Sequence, residues 1–166
     1  MGQPEFAIHP LSVGGGTLAI SPMPGRGGDY AADWRLLLGW APALVITMTS
    51  QAELAGKGAG CLGADLADAG IAWVHLPVPD FGVPQGVDWC AVRDQTLGVL
   101  GQDGRVLVHC LGGCGRSGLM VLRLMIAAGE DADIALLRLR QVRPCAIETD
   151  AQMAWARSDV SAWGGS

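Results

Sequence analysis

Residues 105–120 read RVLVHCLGGCGRSGLM, and the fold turns on the change of character within them. Arg105 to Cys110 (RVLVHC) is a short apolar run suited to a strand. Leu111-Gly112-Gly113-Cys114-Gly115 is a glycine-rich loop, and Arg116-Ser117-Gly118 leads straight into Leu119 to Ala128 (LMVLRLMIAA), apolar almost all round. A helix of that composition, with Arg123 as its only charge, belongs in the middle of a domain. Strand, glycine loop and helix N-terminus in this order mark a candidate ligand site, because in open parallel sheets ligands gather outside the carboxyl ends of the strands.

Upstream lie three more short apolar runs: Thr17 to Ser21 (TLAIS), Ala43 to Thr49 (ALVITMT) and Ile71 to Val78 (IAWVHLPV). The first ends in the turn-rich PMPGRGGD, whose Asp29 caps a helix through Trp34 to Leu38. Val87 to Leu100 carries apolar residues at mostly helical spacing and reads as a crossover helix, so the strands either side of it pair in parallel. Downstream, Asp133 to Gln141 and Asp150 to Trp163 read as two further helices separated by Arg143-Pro144. The pattern predicts one α/β domain over residues 1–166, three layers (α/β/α) around a mainly parallel sheet of four to five strands.

Half of the 166 residues are hydrophobic, ample for a buried core. The formal charge is -5 and the lysines and arginines are scattered, which argues against nucleic acid or an anionic membrane as partner. No leader-like N-terminus and no bilayer-length apolar stretch is visible, so the expectation is a soluble, cytoplasmic protein. Five cysteines without framework spacing are expected as reduced thiols. The six tryptophans are dispersed and read as packing residues rather than a cofactor box.

In the loop, Gly112, Gly113 and Gly115 let successive amide N–H groups turn inward, forming an anion cradle that the following helix dipole strengthens. Phosphate is its natural occupant, bound by Leu111 to Arg116. The planar fork of Arg116 grips two phosphoryl oxygens. Cys110 at the floor is expected to have its pKa drawn down from about 8.5 toward the ~3.5–7.5 range, making it a thiolate at neutral pH.

VHCLGGCGRSGLM matches the H-C-x5-R-[ST] signature and thereby resembles the protein tyrosine phosphatase superfamily. LPVPDFGVP at Leu76 to Pro84 and RPCAIETDAQ at Arg143 to Gln152 resemble its small atypical dual-specificity branch, the VHZ-like enzymes. The likeness covers roughly the C-terminal two-thirds of the chain. It implies a phosphotyrosine phosphatase-like fold and hydrolysis of a phosphomonoester, on a phosphorylated protein or a small aryl phosphate, with no cofactor and no metal. Asp80 follows the carboxyl end of its strand, and the resemblance makes it the general acid of a mobile loop, stiffened by Pro79 and freed to close by Gly82. The family's tryptophan two places before that aspartate is Val78 here.

The implied chemistry is two in-line displacements at phosphorus. Cys110 attacks while Asp80 protonates the departing oxygen. Water deprotonated by Asp80 then releases phosphate, with Gln152 positioning the water and Ser117 donating a hydrogen bond to the returning thiolate. His109 fixes the loop. Cys114 is expected as a packing residue, with capture of oxidised Cys110 as the sharper alternative. Arg26 in PGRGGD reads as an ordinary exposed loop arginine, with a contact to substrate as the alternative. Two rival functions remain: rhodanese-like sulfur transfer, whose loop is typically one residue shorter, and a non-catalytic phosphopeptide-binding module, which would normally lack nucleophile or acid.

Overall fold

The computed structural model describes residues 6–158. Five strands form one sheet: β1 (His9–Val13), β2 (Gly16–Ser21), β3 (Leu44–Thr47), β4 (Ala72–His75) and β5 (Arg105–His109), in the order β1-β2-β5-β3-β4. Only β1 runs antiparallel to its neighbour; β2, β5, β3 and β4 are parallel. The seven helices among the described residues are α1 (Tyr30–Trp40), α2 (Gln51–Gly56), α3 (Leu62–Asp68), α4 (Trp89–Leu100), α5 (Gly115–Ala127), α6 (Ala132–Val142) and α7 (Asp150–Arg157).

Strand alternation sorts the core into two layers. Leu18, Ile20, Leu44, Ile46, Val106 and Val108 face α4, α5, α6 and α7, whereas Ala19, Val45 and Leu107 face α1, α2 and α3. This is the expected α/β/α arrangement. Residues 115–125 of α5 are all buried, as its all-round apolar sequence requires. Beyond Arg116 in its first turn, its one charge is Arg123, which lies against two indoles, its guanidinium carbon 4.6 Å from the Trp89 ring centre and 4.5 Å from that of Trp155. It also donates to the carbonyl of Trp155, and burial lowers its pKa to about 10. No helix among the described residues is long and apolar enough to cross a membrane.

Several elements depart from the sequence reading. β1 was not expected, since Pro10 weakens the strand signal; as an edge strand it tolerates proline, and Gly14-Gly15, both at positive φ (59° and 94°), make the hairpin turn to β2. α2 and α3 are only 6 and 7 residues long, too short to show helical periodicity in a glycine-broken segment. The strands flanking α4 are parallel but not paired with each other, because β3 lies between β4 and β5. The last helix ends at Arg157, and the remainder of the stretch to Trp163 lies outside the described residues.

Candidate active site

Helix α5 begins directly after β5, so the intervening loop sits at the sheet's carboxyl edge, and the carbonyl oxygens of that loop all turn outward. Leu111 O accepts from Met23 N (3.1 Å), Gly112 O and Gly113 O from the guanidinium of Arg143 (2.8 and 3.0 Å), and Cys114 O from Ile147 N (3.1 Å) and Gly118 N (2.9 Å). The N–H groups of residues 111–114 meet no protein acceptor among the described residues. The peptide dipoles therefore present their positive ends to the pocket, as an anion cradle must. Gly113 is indispensable to this path, and Gly115 lets the buried side chain of Gln152 approach closely. Gly113 has φ 74°, and a Cβ there would lie 2.6 Å from Pro22 N; a Cβ on Gly115 would lie 2.8 Å from Gln152 Oε1.

Cys110 is buried beneath the loop with Sγ 3.1 Å from Ser117 Oγ. Arg116 is buried as well, and its Nη1 and Nη2 donate to the two carboxylate oxygens of Glu53, both at 2.9 Å. Nη1 also donates to Val78 O (2.9 Å), while Nε has no protein partner among the described residues. This clamp fixes the guanidinium plane. Glu53 itself is fixed by the capping box it forms with Ser50 at the start of α2. The hydrogen bonds from Arg116 hold the Glu53 carboxyl below its ordinary pKa.

His109 is fully buried, with Nε2 2.7 Å from Thr47 Oγ1. The carbonyl of Cys110 can only accept, so Nδ1 carries the proton toward it (3.4 Å) and Nε2 of the neutral ring accepts from the Thr47 hydroxyl, which itself accepts from the indole N–H of Trp73 (2.7 Å). Desolvation lowers the pKa of His109 to about 4, which keeps it neutral.

Asp80 lies beside the same pocket, half exposed, with Oδ1 3.6 Å from Arg116 Nη2. It sits in a tight turn closed by Gly82 N donating to Pro79 O (2.8 Å), in which Phe81, not Gly82, takes the left-handed conformation (φ 62°). Gln152, on α7, is buried. Its Oε1 accepts from Glu148 N (2.9 Å) and its Nε2 donates to Gly82 O (3.2 Å), tying the start of α7 to the loop that carries Asp80.

The expectation of five reduced thiols is corrected: Cys114 is bridged to Cys145, 31 positions away, with Cα atoms 5.2 Å apart. Arg143 and Ile147 dock against the loop and bring the two cysteines together, so Cys114 is neither a packing thiol nor poised to capture Cys110. The sequence reading also missed Glu53, Arg143 and Glu148. Ser50-x-x-Glu53 has the spacing of a capping box, a signal that the sequence reading did not use and that says nothing of the arginine; Arg143 read only as a helix break. Glu148 and Arg26 line the pocket with Cys110, so Arg26 is not an ordinary surface residue.

Against known families, residues 41–130 match Tc-R-P, described as "Polymorphic toxin system, DSP-PTPase phosphatase". A protein tyrosine phosphatase domain-containing protein 1 from Mus musculus is 32% identical over 93 residues, covering 54% of this chain but 12% of that protein. Cyclin-dependent kinase inhibitor 3 from Sus scrofa is 35% identical over 57 residues, 34% of this chain and 27% of that one. Among solved structures, kinase associated phosphatase with its catalytic-site cysteine changed to serine superposes with a TM-score of 0.80 at 23% identity, covering 93% of this chain and 94% of that one. Tk-PTP in its active form superposes with a TM-score of 0.68 at 27% identity, covering 89% and 92%.

Proposed function

Since the chain belongs to the DSP-PTPase phosphatase family, we propose that it hydrolyses phosphomonoesters through a phosphoenzyme on Cys110. The observation that carries this reading is the loop of residues 111–114, whose carbonyls are all engaged outward above a buried cysteine, beside an arginine clamped by Glu53. Bound phosphate would take the loop N–H groups and the Nε of Arg116. That arrangement stabilises the equatorial oxygens as charge redistributes in the transition state.

In the first step Cys110 Sγ attacks phosphorus and the bond to the leaving oxygen breaks, with Asp80 giving that oxygen its proton. In the second, Asp80 takes a proton from water, the water oxygen bonds to phosphorus and the P–S bond breaks. Ser117 donates its hydrogen bond to the sulfur as charge returns. Neutral His109 holds the carbonyl end of Cys110 in place. Gln152 acts on the water step through its grip on Gly82 and Glu148 N–H, since its amide is already committed to those partners. The substrate is a phosphorylated protein or small phosphomonoester, with nucleic acid and membrane outside the reading. For location, the cytoplasm was the sequence-based expectation, and the Cys114–Cys145 bridge weighs toward an oxidising compartment instead.

Turnover of p-nitrophenyl phosphate tests the proposal and separates it from sulfur transfer and from mere phosphopeptide binding. Cys110→Ser abolishes it. Asp80→Asn costs about 10²–10⁴-fold with an alkoxide-like leaving group and less with p-nitrophenolate. A Cys110→Ser protein that keeps wild-type turnover removes the proposal.

A further inference from the structure

Arg26 belongs to two depressions at once. It lines the pocket above Cys110, and it lines a neighbouring groove made by residues 25–28 and 56–58. The groove is walled largely by glycine backbone. A Cβ added at Gly28, Gly56 or Gly58 would meet nothing within 4 Å, so a polypeptide can approach these walls closely. Among the described residues, Arg26 and Lys57 are the only charged ones lining it.

Charge placement gives the groove its meaning. The chain as a whole is acidic, at -5. The charge of Arg116 is matched by the Glu53 carboxylate that grips it. Attraction for anything more anionic than one phosphate must therefore come from other cations: the described residues supply Arg26 and Arg143 around the pocket, where Asp80 and Glu148 oppose them, and Arg26 with Lys57 in the groove, which no described carboxylate lines. Arg143 is spoken for, holding the Gly112 and Gly113 carbonyls. It lies near enough to Arg26 that, after desolvation, the Arg26 charge helps lower its pKa. Arg26 and Lys57, two like charges lining one groove beside the phosphate cradle, favour a second anion there.

Building on the phosphatase reading, we infer that the Arg26–Lys57 groove is a second anionic subsite, which takes the polypeptide flank of the phosphoresidue where it carries a carboxylate or a second phosphate. Phosphopeptides with acidic flanks are the favoured substrates. Neutral-flanked peptides and small aryl phosphates engage the cradle alone.

The test compares kcat/KM for three phosphotyrosyl peptides of one sequence, with neutral flanks, with glutamates flanking the phosphoresidue, and with a second phosphorylated residue nearby. The wild-type protein prefers the anionic peptides roughly tenfold, as expected for two partly screened ion pairs, and the preference shrinks with added salt. In the Arg26→Ala/Lys57→Ala double variant the ratio falls to about twofold or less, a ratio that is blind to any general loss of activity. Gly56→Glu, which adds a negative charge to the open wall, lowers the ratio too, while Gly56→Ala keeps it. Preference for the doubly phosphorylated peptide alone identifies phosphate as the second anion; preference for both identifies charge as sufficient. A wild-type ratio near one, or a double variant that keeps the wild-type ratio, overturns the inference. Titrating the same peptides into the Cys110→Ser protein by fluorescence anisotropy judges the groove without turnover. A chain that binds with the predicted ratio but hydrolyses none of the peptides overturns the phosphatase reading and leaves the groove standing.

Discussion

Removing the bridge between Cys114 and Cys145 by the double change Cys114→Ala/Cys145→Ala is a demanding perturbation, because it touches the phosphate cradle without touching the nucleophile. The two cysteines are 31 positions apart. Loop-closure entropy for a ring of that size amounts to about 3.7 kcal/mol at 25 °C, lost from folding stability when the bridge goes. For a chain of 166 residues this lowers Tm by about 7–15 °C. Urea unfolding followed by circular dichroism measures the change. Reduction of the wild-type protein must reproduce the variant's midpoint, and reductant must leave the variant's own midpoint unchanged. Arg143 and Ile147 still hold the loop carbonyls, so turnover persists in the variant while inhibition by inorganic phosphate weakens. A loss of less than about 1 kcal/mol, or a reductant effect that persists without the two cysteines, refutes the staple.

Gly113→Ala must force a residue at φ 74° and drive a Cβ to 2.6 Å from Pro22 N, so it destabilises by at least about 2 kcal/mol and abolishes measurable p-nitrophenyl phosphate turnover; a melting curve and a rate assay check both. Glu53→Gln keeps the shape of the clamp but not its charge, and kcat/KM for p-nitrophenyl phosphate falls about ten- to a hundredfold as Arg116 loses its fixed plane. Burial holds His109 near pKa 4 rather than 6.5, so the unfolded chain takes a proton that the native state refuses. Stability is therefore level above pH 6.5 on this account and declines as pH falls from 6.5 toward 4, by up to about 3 kcal/mol. Urea midpoints across that range measure the slope, and His109→Gln removes most of it above about pH 5, leaving the part due to His9, whose pKa burial also lowers.

Local signals in the sequence sufficed wherever one segment carries the whole feature. The strand of residues 105–109, the glycine loop and the buried helix after it are contiguous, so their order alone placed Cys110, Arg116 and Ser117 together. Asp80 was reachable because parallel strands end on one edge of a sheet. What escaped depends on segments meeting in space. Glu53 lies 63 positions from Arg116, and nothing in the SQAELAG stretch announces that its cap residue also holds a guanidinium. The Cys114–Cys145 pairing requires knowing that residues 143–147 fold back onto the loop. Thr47 and Trp73, which hold the Nε2 side of His109, come from two other strands. The edge strand β1 was missed because its proline argues against a strand unless its place at the sheet's border is already known.

A covalent intermediate is the sharpest point of the account. Wild-type protein mixed with excess p-nitrophenyl phosphate, quenched in acid within the first turnover and mapped by peptide mass spectrometry, carries one phosphoryl group on Cys110, and Asp80→Asn accumulates more of it when the second step is slowed. Steady turnover with no phosphate ever found on that cysteine would contradict it.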